Sequence, residues 1–430
     1  MATKVNFIVL SALILTSWIG GLYLTPHVEW NGIMTTNPAD VAWMVVASAF
    51  VLLMTPGLAF FYGGMVDRKN VISTMLQSFV ALGVISILWV IVGFSLCFGD
   101  SIGGIIGNPL THLNFKNVGT QAHPEIGSGI PFLLFALFQL KFAIITPALI
   151  TGSMAGRIRF RSYILFMVLF SVLIYAPLAH MTWHPEGLLM NLGVLDFAGG
   201  TVVHMSAGFA ALAGAVFLGP RKNPRLEHAN IPFIILGTGL LWFGWFGFNA
   251  GSALGANSDA VLAFANTHFA SASGMITWIF YARFRGRKMN AVGACIGAIV
   301  GLVAITPAAG FVTIQESMLI GFIAALVSNW AISRQGRSGL DDTLDVFPSH
   351  GVGGMVGMLL TGVFAADVGL TSGATATFGW HIVALLGVAA FSFGGSFLLF
   401  KLVAMMIPVR VSDWQETLGL DESQHGETLA

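Results

Sequence analysis

Charge is what this sequence has least of. Its 430 residues include 19 basic and 19 acidic side chains, or 9%, where a soluble domain carries about 25%. So few charges cannot clothe a water-facing surface of that size, which excludes a soluble globular protein. The formal net charge is zero and the basic residues are scattered. That excludes a nucleic-acid binder, which needs a clustered cationic face. Cysteine is equally scarce. Cys97 and Cys295 are the whole complement, too few for a disulfide framework or a zinc cluster.

What fills the chain is apolar: 56% of it is hydrophobic, with 52 glycines. Long apolar runs recur between short polar breaks, and a helix needs about 20 such residues to cross a bilayer. The runs predict an all-α polytopic membrane protein with eleven transmembrane helices, near 41–65, 71–98, 129–156, 162–179, 197–219, 231–254, 259–282, 290–308, 317–333, 344–365 and 379–407. The membrane domain is expected over 40–408, followed by a tail at 409–430. A hydrophobic segment at 1–25 precedes it, with a further candidate helix at 7–24. That segment is either a cleaved signal peptide or a retained twelfth helix. The missing Ala-x-Ala cleavage site favours the helix.

Basic residues accumulate in cytoplasmic loops because translocating them is disfavoured. Here Arg68 and Lys69, Arg157, Arg159 and Arg161, Arg221, Lys222 and Arg225, Arg283, Arg285, Arg287 and Lys288, Arg334 and Arg337, and Arg410 fall in alternate connections. Those connections are expected inside, whereas the opposite loops hold only Lys116. The first span therefore starts outside and the C-terminus is cytoplasmic. This topology puts Cys97 and Cys295 at opposite faces, where they cannot pair.

The first ten spans divide into a five-plus-five inverted repeat, an arrangement that places a substrate path at the repeat interface. His204 lies in the fifth span, within Gly199-Gly200-Thr201-Val202-Val203-His204, and His350 in the tenth, within His350-Gly351-Val352-Gly353-Gly354. Glycine lets helices approach closely in lipid, which would bring these equivalent imidazoles together. Two neutral rings can bond to each other and still offer a nitrogen to a small polar guest or a proton. The plainer reading is two core histidines satisfied by backbone or hydroxyl groups. A zinc site would need three or four ligands, and no cysteine or carboxylate adjoins either histidine in sequence.

Aromatics form a second constellation: Phe138-Gln139-Leu140-Lys141-Phe142 midway along the third span, Trp183 beyond the fourth, and Trp242 to Ser252 at the outer end of the sixth. Ring faces attract cations by about 0.5–2 kcal/mol each, so an aromatic cage suits a small cation losing its water, although such residues also serve as packing or interfacial belt. Asp196 opens the fifth span, where a carboxylate caps the first amides and can favour a nearby cation. Asp341, Asp342 and Asp345 precede His350 and are expected to complement the helix dipole.

Several longer stretches add to these residues. They are Phe61-Tyr62-Gly63-Gly64 with Lys69-Asn70-Val71, Phe142-Ala143-Ile144-Ile145-Thr146 with Arg157-Ile158-Arg159-Phe160, Asp196 to His204, Gly244 to Ser252, Asp345 to Gly351, and Gly419-Leu420-Asp421 with His425-Gly426-Glu427. Together, over about 40–430, the sequence resembles ammonium transporters of the Amt/Mep/Rh superfamily, in its bacterial or archaeal Amt branch. The resemblance implies that Phe142, Trp183 and Ser252 recruit ammonium, with methylammonium as an analogue. It further implies that Phe142 and Phe248 form a stacked gate, that His204 and His350 are twin pore histidines, and that Asp196 supports the outer site electrostatically. It also implies a homotrimer in the cell membrane with one path per subunit, a tail packing across to a neighbour, and a PII signalling protein as a partner at the cytoplasmic face. No cofactor, metal or enzymatic activity is implied.

Lys141 departs from the resemblance, which implies an uncharged residue beside the gate. It lies ten residues beyond Pro131, roughly 15 Å into the span at 1.5 Å per residue, where an amine is expected to pair with carbonyls or a polar group. Mechanistically, an ammonium ion entering apolar surroundings loses hydration worth several kcal/mol, more than one ring face returns, so deprotonation at the gate is expected. Ammonia would then pass the imidazoles while the proton follows a relay through them. Alternatives are an ammonium sensor with little transport, weakened by the short tail after Arg410 and the lack of a fused signalling domain, and a neutral gas channel of the Rhesus type. A membrane-embedded enzyme ranks last, because the histidines lack a neighbouring acid, nucleophile or metal set.

Overall fold

The computed structural model describes residues 11–17, 19, 36–127, 129–224 and 227–429. The twelfth-helix reading of 7–24 falls largely outside them. Apolar runs become helices because a chain shielded from water must satisfy its backbone internally. In chain order these are α1 (Pro38–Met65), α2 (Arg68–Phe98), α3 (Phe132–Met154), α4 (Phe160–Asn191), α5 (Gly200–Leu218), α6 (Ile231–Gly251), α7 (Ser258–Phe284), α8 (Ala291–Ile305), α9 (Ile314–Gln335), α10 (a π turn Phe347–Val352 running into Gly353–Phe364) and α11 (Ala376–Met406). Among the described residues, eight of these are long and apolar enough to cross a membrane. Each overlaps one of the expected spans with ends shifted by a few residues, except that α4 runs on to Asn191, well past the expected end at 179. Trp183, expected just beyond the fourth span, is the last residue of an α-helical segment within α4.

α1 lies along α6, and the π turn of α10 crosses α5. At that crossing a Cβ on Gly208 would stand 2.1 Å from the Gly351 amide nitrogen, so glycine is required for the approach. α7, α8 and α9 form a satellite cluster built on small residues such as Ala263, Ala270, Ala304 and Ala324.

The basic connections gather at one end of the bundle. There the Arg221 guanidinium grips both oxygens of Asp341 at 2.8 Å, and the fully buried Arg157 approaches the same carboxylate at 3.8 Å. Burial by itself would raise the Asp341 carboxyl, but these guanidinium groups outweigh it and hold it below its ordinary value. Asp342 accepts the Phe347 N–H at 2.7 Å and so caps α10. Of the three acids expected to serve that helix, Asp341 instead ties loops together, and Asp345 accepts a bond from Gln335.

The tail begins with α12 (Asp413–Leu418), opened by a Ser412–Gln415 capping box. It then folds onto its own chain. The Asp421 carboxylate accepts the Ile72 and Ser73 N–H groups at 3.0 and 2.7 Å, and the Gln424 side-chain oxygen accepts that of Phe160 at 2.8 Å, so the starts of α2 and α4 are both capped from the tail.

Candidate functional site

The site lies where α3, α5, α6 and α10 meet. Phe142 of α3 and Phe248 of α6 stack with centroids 4.1 Å apart and planes 29° from parallel. Both rings are buried, whereas Trp183 and Ser252 are half-exposed at the end opposite the basic face. Trp183 meets Phe142 edge-on, at 5.7 Å and 83°. The Ser252 hydroxyl donates to the Phe248 carbonyl at 2.9 Å, which leaves its oxygen able to accept. Exposure thus falls from the half-open indole and hydroxyl to the closed ring pair.

Immediately behind the ring pair stand the histidines. His204 lies 6.0 Å from Phe248 and stacks on Trp245 at 5.3 Å, and its Nδ1 faces the His350 Nδ1 at 3.3 Å. A hydrogen bond there requires one nitrogen to donate and the other to accept, so the two rings take opposite tautomers. The His204 Nε2 is buried without a partner. On the far side, His350 borders a constricted cavity with Tyr62, Leu344 and Ser349. The imidazole pair thus lies between the stacked rings and this cavity. Each histidine sits in a π turn, Gly200–Met205 or Phe347–Val352, at the start of its helix. Such turns recur at functional sites.

Asp196 holds this arrangement from the loop before α5. Its carboxylate accepts the N–H groups of Gly199, Gly200 and Thr201 at 2.8, 2.6 and 2.7 Å, and also the Thr201 hydroxyl. Gly199 takes φ +114°, a conformation that glycine adopts without a Cβ penalty, and so helps the three amides converge. The Asp196 carbonyl meanwhile accepts the Trp183 indole N–H at 3.1 Å. Trp245, noted in sequence only as one of an aromatic run, is fixed by a bond from its indole to the Thr306 hydroxyl at 2.9 Å.

Phe142, Trp183, Ser252, Phe248, His204, His350 and Asp196 therefore converge on one track. His184 and Glu186 do not join it. They line a separate cavity of about 640 Å³ with Asp100, His112, His123 and Glu125. Lys141 lies on the face of α3 shared with the exposed Leu137, one turn back. Among the described residues neither a hydrogen bond nor an ion pair reaches its amine, so the expected pairing is not made. His381 was missed in sequence; its only signal was a histidine in an apolar span.

Comparison with known proteins gives a consistent result. Residues 42–429 match the Ammonium Transporter Family. An ammonium transporter of Aquifex aeolicus is 45% identical over 398 residues, covering 91% of this chain and 93% of that protein. The crystal structure of Candida albicans Mep2 superposes with a TM-score of 0.82 at 35% identity, covering 88% of each chain. A structure described as a sensor Amt protein superposes with a TM-score of 0.83 at 30% identity, covering 90% of this chain and 98% of that one.

Proposed function

This chain belongs to the ammonium transporter family and is an ammonium transporter, and we propose that it works by recruiting the cation between Trp183, Phe142 and Ser252, stripping its proton at the Phe142–Phe248 gate and passing it along His204 and His350. The observation that carries this reading is the row from stacked gate to unpartnered His204 Nε2 to the 3.3 Å nitrogen contact with His350. Outside the gate the cation keeps some water and gains ring faces and the Ser252 oxygen. Inside, the surroundings are too apolar for an ion, whose desolvation costs several kcal/mol. A proton released there has one polar route among the residues of the track, the paired imidazoles. Asp196 contributes negative charge near the entrance while capping α5.

On the same reading α1–α11 span a cell membrane as two inverted five-helix halves plus α11, with the basic face and tail in the cytoplasm. The antiparallel packing of α1 on α6 and the crossing of α5 with α10 support the repeat, as do the matched π turns. Assembly as a homotrimer, with a PII signalling protein docking at the basic face, completes the proposal. A second reading, an ammonium sensor with little transport, is favoured by the structural likeness to the sensor Amt protein. Current on a supported membrane after an ammonium jump separates the two. Sustained current that vanishes when His204 and His350 are both replaced by apolar residues is expected. Undiminished current in the assembled double variant would sink the relay, and none in the unaltered protein would point to the sensor or to neutral gas flow.

A further inference from the structure

We propose that His381 is a positioning residue for ammonium recruitment, fixing from α11 the Leu195–Asp196 loop on which Trp183 and the histidine-bearing turn of α5 both depend. The ring is fully buried. Its Nδ1 stands 2.7 Å from the Met358 carbonyl of α10, and a carbonyl can only accept, so Nδ1 carries the hydrogen. Its Nε2 receives the Leu195 N–H at 2.9 Å, so that nitrogen is bare. Both contacts demand one neutral tautomer and leave the imidazole no capacity for proton transfer. It therefore acts through the loop.

The next residue in the loop carries the consequence. The Asp196 carbonyl holds the Trp183 indole at 3.1 Å, and its carboxylate gathers the amides of residues 199 to 201, a few residues before His204. A single ring thus ties α10 and α11 to the segment that aims the recruiting indole. With the Leu195 amide released, the Asp196 carbonyl is free to shift and the indole loses its fixed partner. Affinity for the cation is then affected before the rate of passage.

The inference rests on the recruitment role proposed above, and three substitutions test it in proteoliposomes. In His381→Gln the amide oxygen reaches the Nε2 position and accepts from Leu195. In His381→Asn the shorter amide keeps only the bond to Met358, and in His381→Phe the volume remains with neither bond. His381→Gln is expected to keep the apparent KM for ammonium within about twofold, whereas His381→Asn and His381→Phe raise it about five- to tenfold at a little-changed maximal rate. Equal KM values in all three, or an equal loss of maximal rate with KM unmoved, would overturn the assignment. The shift in melting temperature on adding ammonium chloride to the detergent-solubilised protein should rank the variants in the same order. An unaltered protein that binds ammonium without transporting it would fault the transport mechanism and leave the positioning role standing.

Discussion

A phenylalanine ring can plug a path or attract a cation, and Phe142 is placed to do both. It stacks on Phe248 at 4.1 Å and presents itself to the edge of Trp183 at 5.7 Å. If ring faces hold the ion, Trp183→Leu and Phe142→Ala should each weaken apparent ammonium affinity by about 1–2 kcal/mol, roughly 5- to 30-fold. Discrimination against potassium should narrow as well, because with a ring face lost the Ser252 oxygen carries more of the remaining preference for an N–H donor. Competition between the two cations for uptake measures this. Wild-type affinity and selectivity in both variants would make the aromatics packing alone. Phe142, Phe248 and Ser252 were legible in sequence because they sit in long motifs, whereas Trp183 stood out only as an aromatic beyond the fourth span. Lys141 was legible only as an anomaly: counting along the helix gave its depth and the face it shares with Leu137, but periodicity could not tell that this face is exposed and offers its amine no partner.

At the scale of elements, the apolar runs fixed the helices, since a run of about 20 residues leaves the backbone few other ways to satisfy itself. Their ends were less legible, because caps are set by three-dimensional partners. Asp196 caps α5 as expected, while Asp341, expected at the dipole of α10, joins Arg157 and Arg221 from distant loops. No local pattern announces such a contact, nor the tail's capping of α2 and α4 by Asp421 and Gln424. Removing the carboxylate leaves the fully buried Arg157 without its counter-charge. Asp341→Asn is therefore expected to cost about 3 kcal/mol near neutral pH, read as a lower melting temperature in detergent. The sign with pH follows from the depressed carboxyl of Asp341. Its contribution is complete above the ordinary aspartate value and is lost as pH falls through the lower folded value. The gap between variant and unaltered protein should thus hold above about pH 4 and close below it. A gap that instead widened with acid would contradict the assigned ion cluster.

For the whole molecule, the decisive contact is where α5 and α10 cross. Neither helix holds an imidazole pair by itself, since each contributes one ring, and the 3.3 Å nitrogen contact is made where α5 and α10 touch backbone to backbone. Gly208 sits at that contact, one turn beyond His204. A methyl group there would lie 2.1 Å from the Gly351 nitrogen and 3.0 Å from the His350 carbonyl carbon. These are main-chain atoms and cannot rotate away as a flexible side chain would. Gly208→Ala must therefore push the halves apart, lengthening the His204–His350 contact beyond hydrogen-bond range, about 3.5 Å at most. Ammonium-driven current should collapse while the outer cage, built on α3, α4 and α6, still binds. Gly239→Ala supplies the control, since a methyl group at that position of α6 meets nothing within 4 Å. Alanine also favours a helix over glycine by up to about 1 kcal/mol, so this variant should conduct normally and melt no lower. If Gly208→Ala conducts as well as Gly239→Ala, close apposition of the halves is not what joins the two histidines into one path.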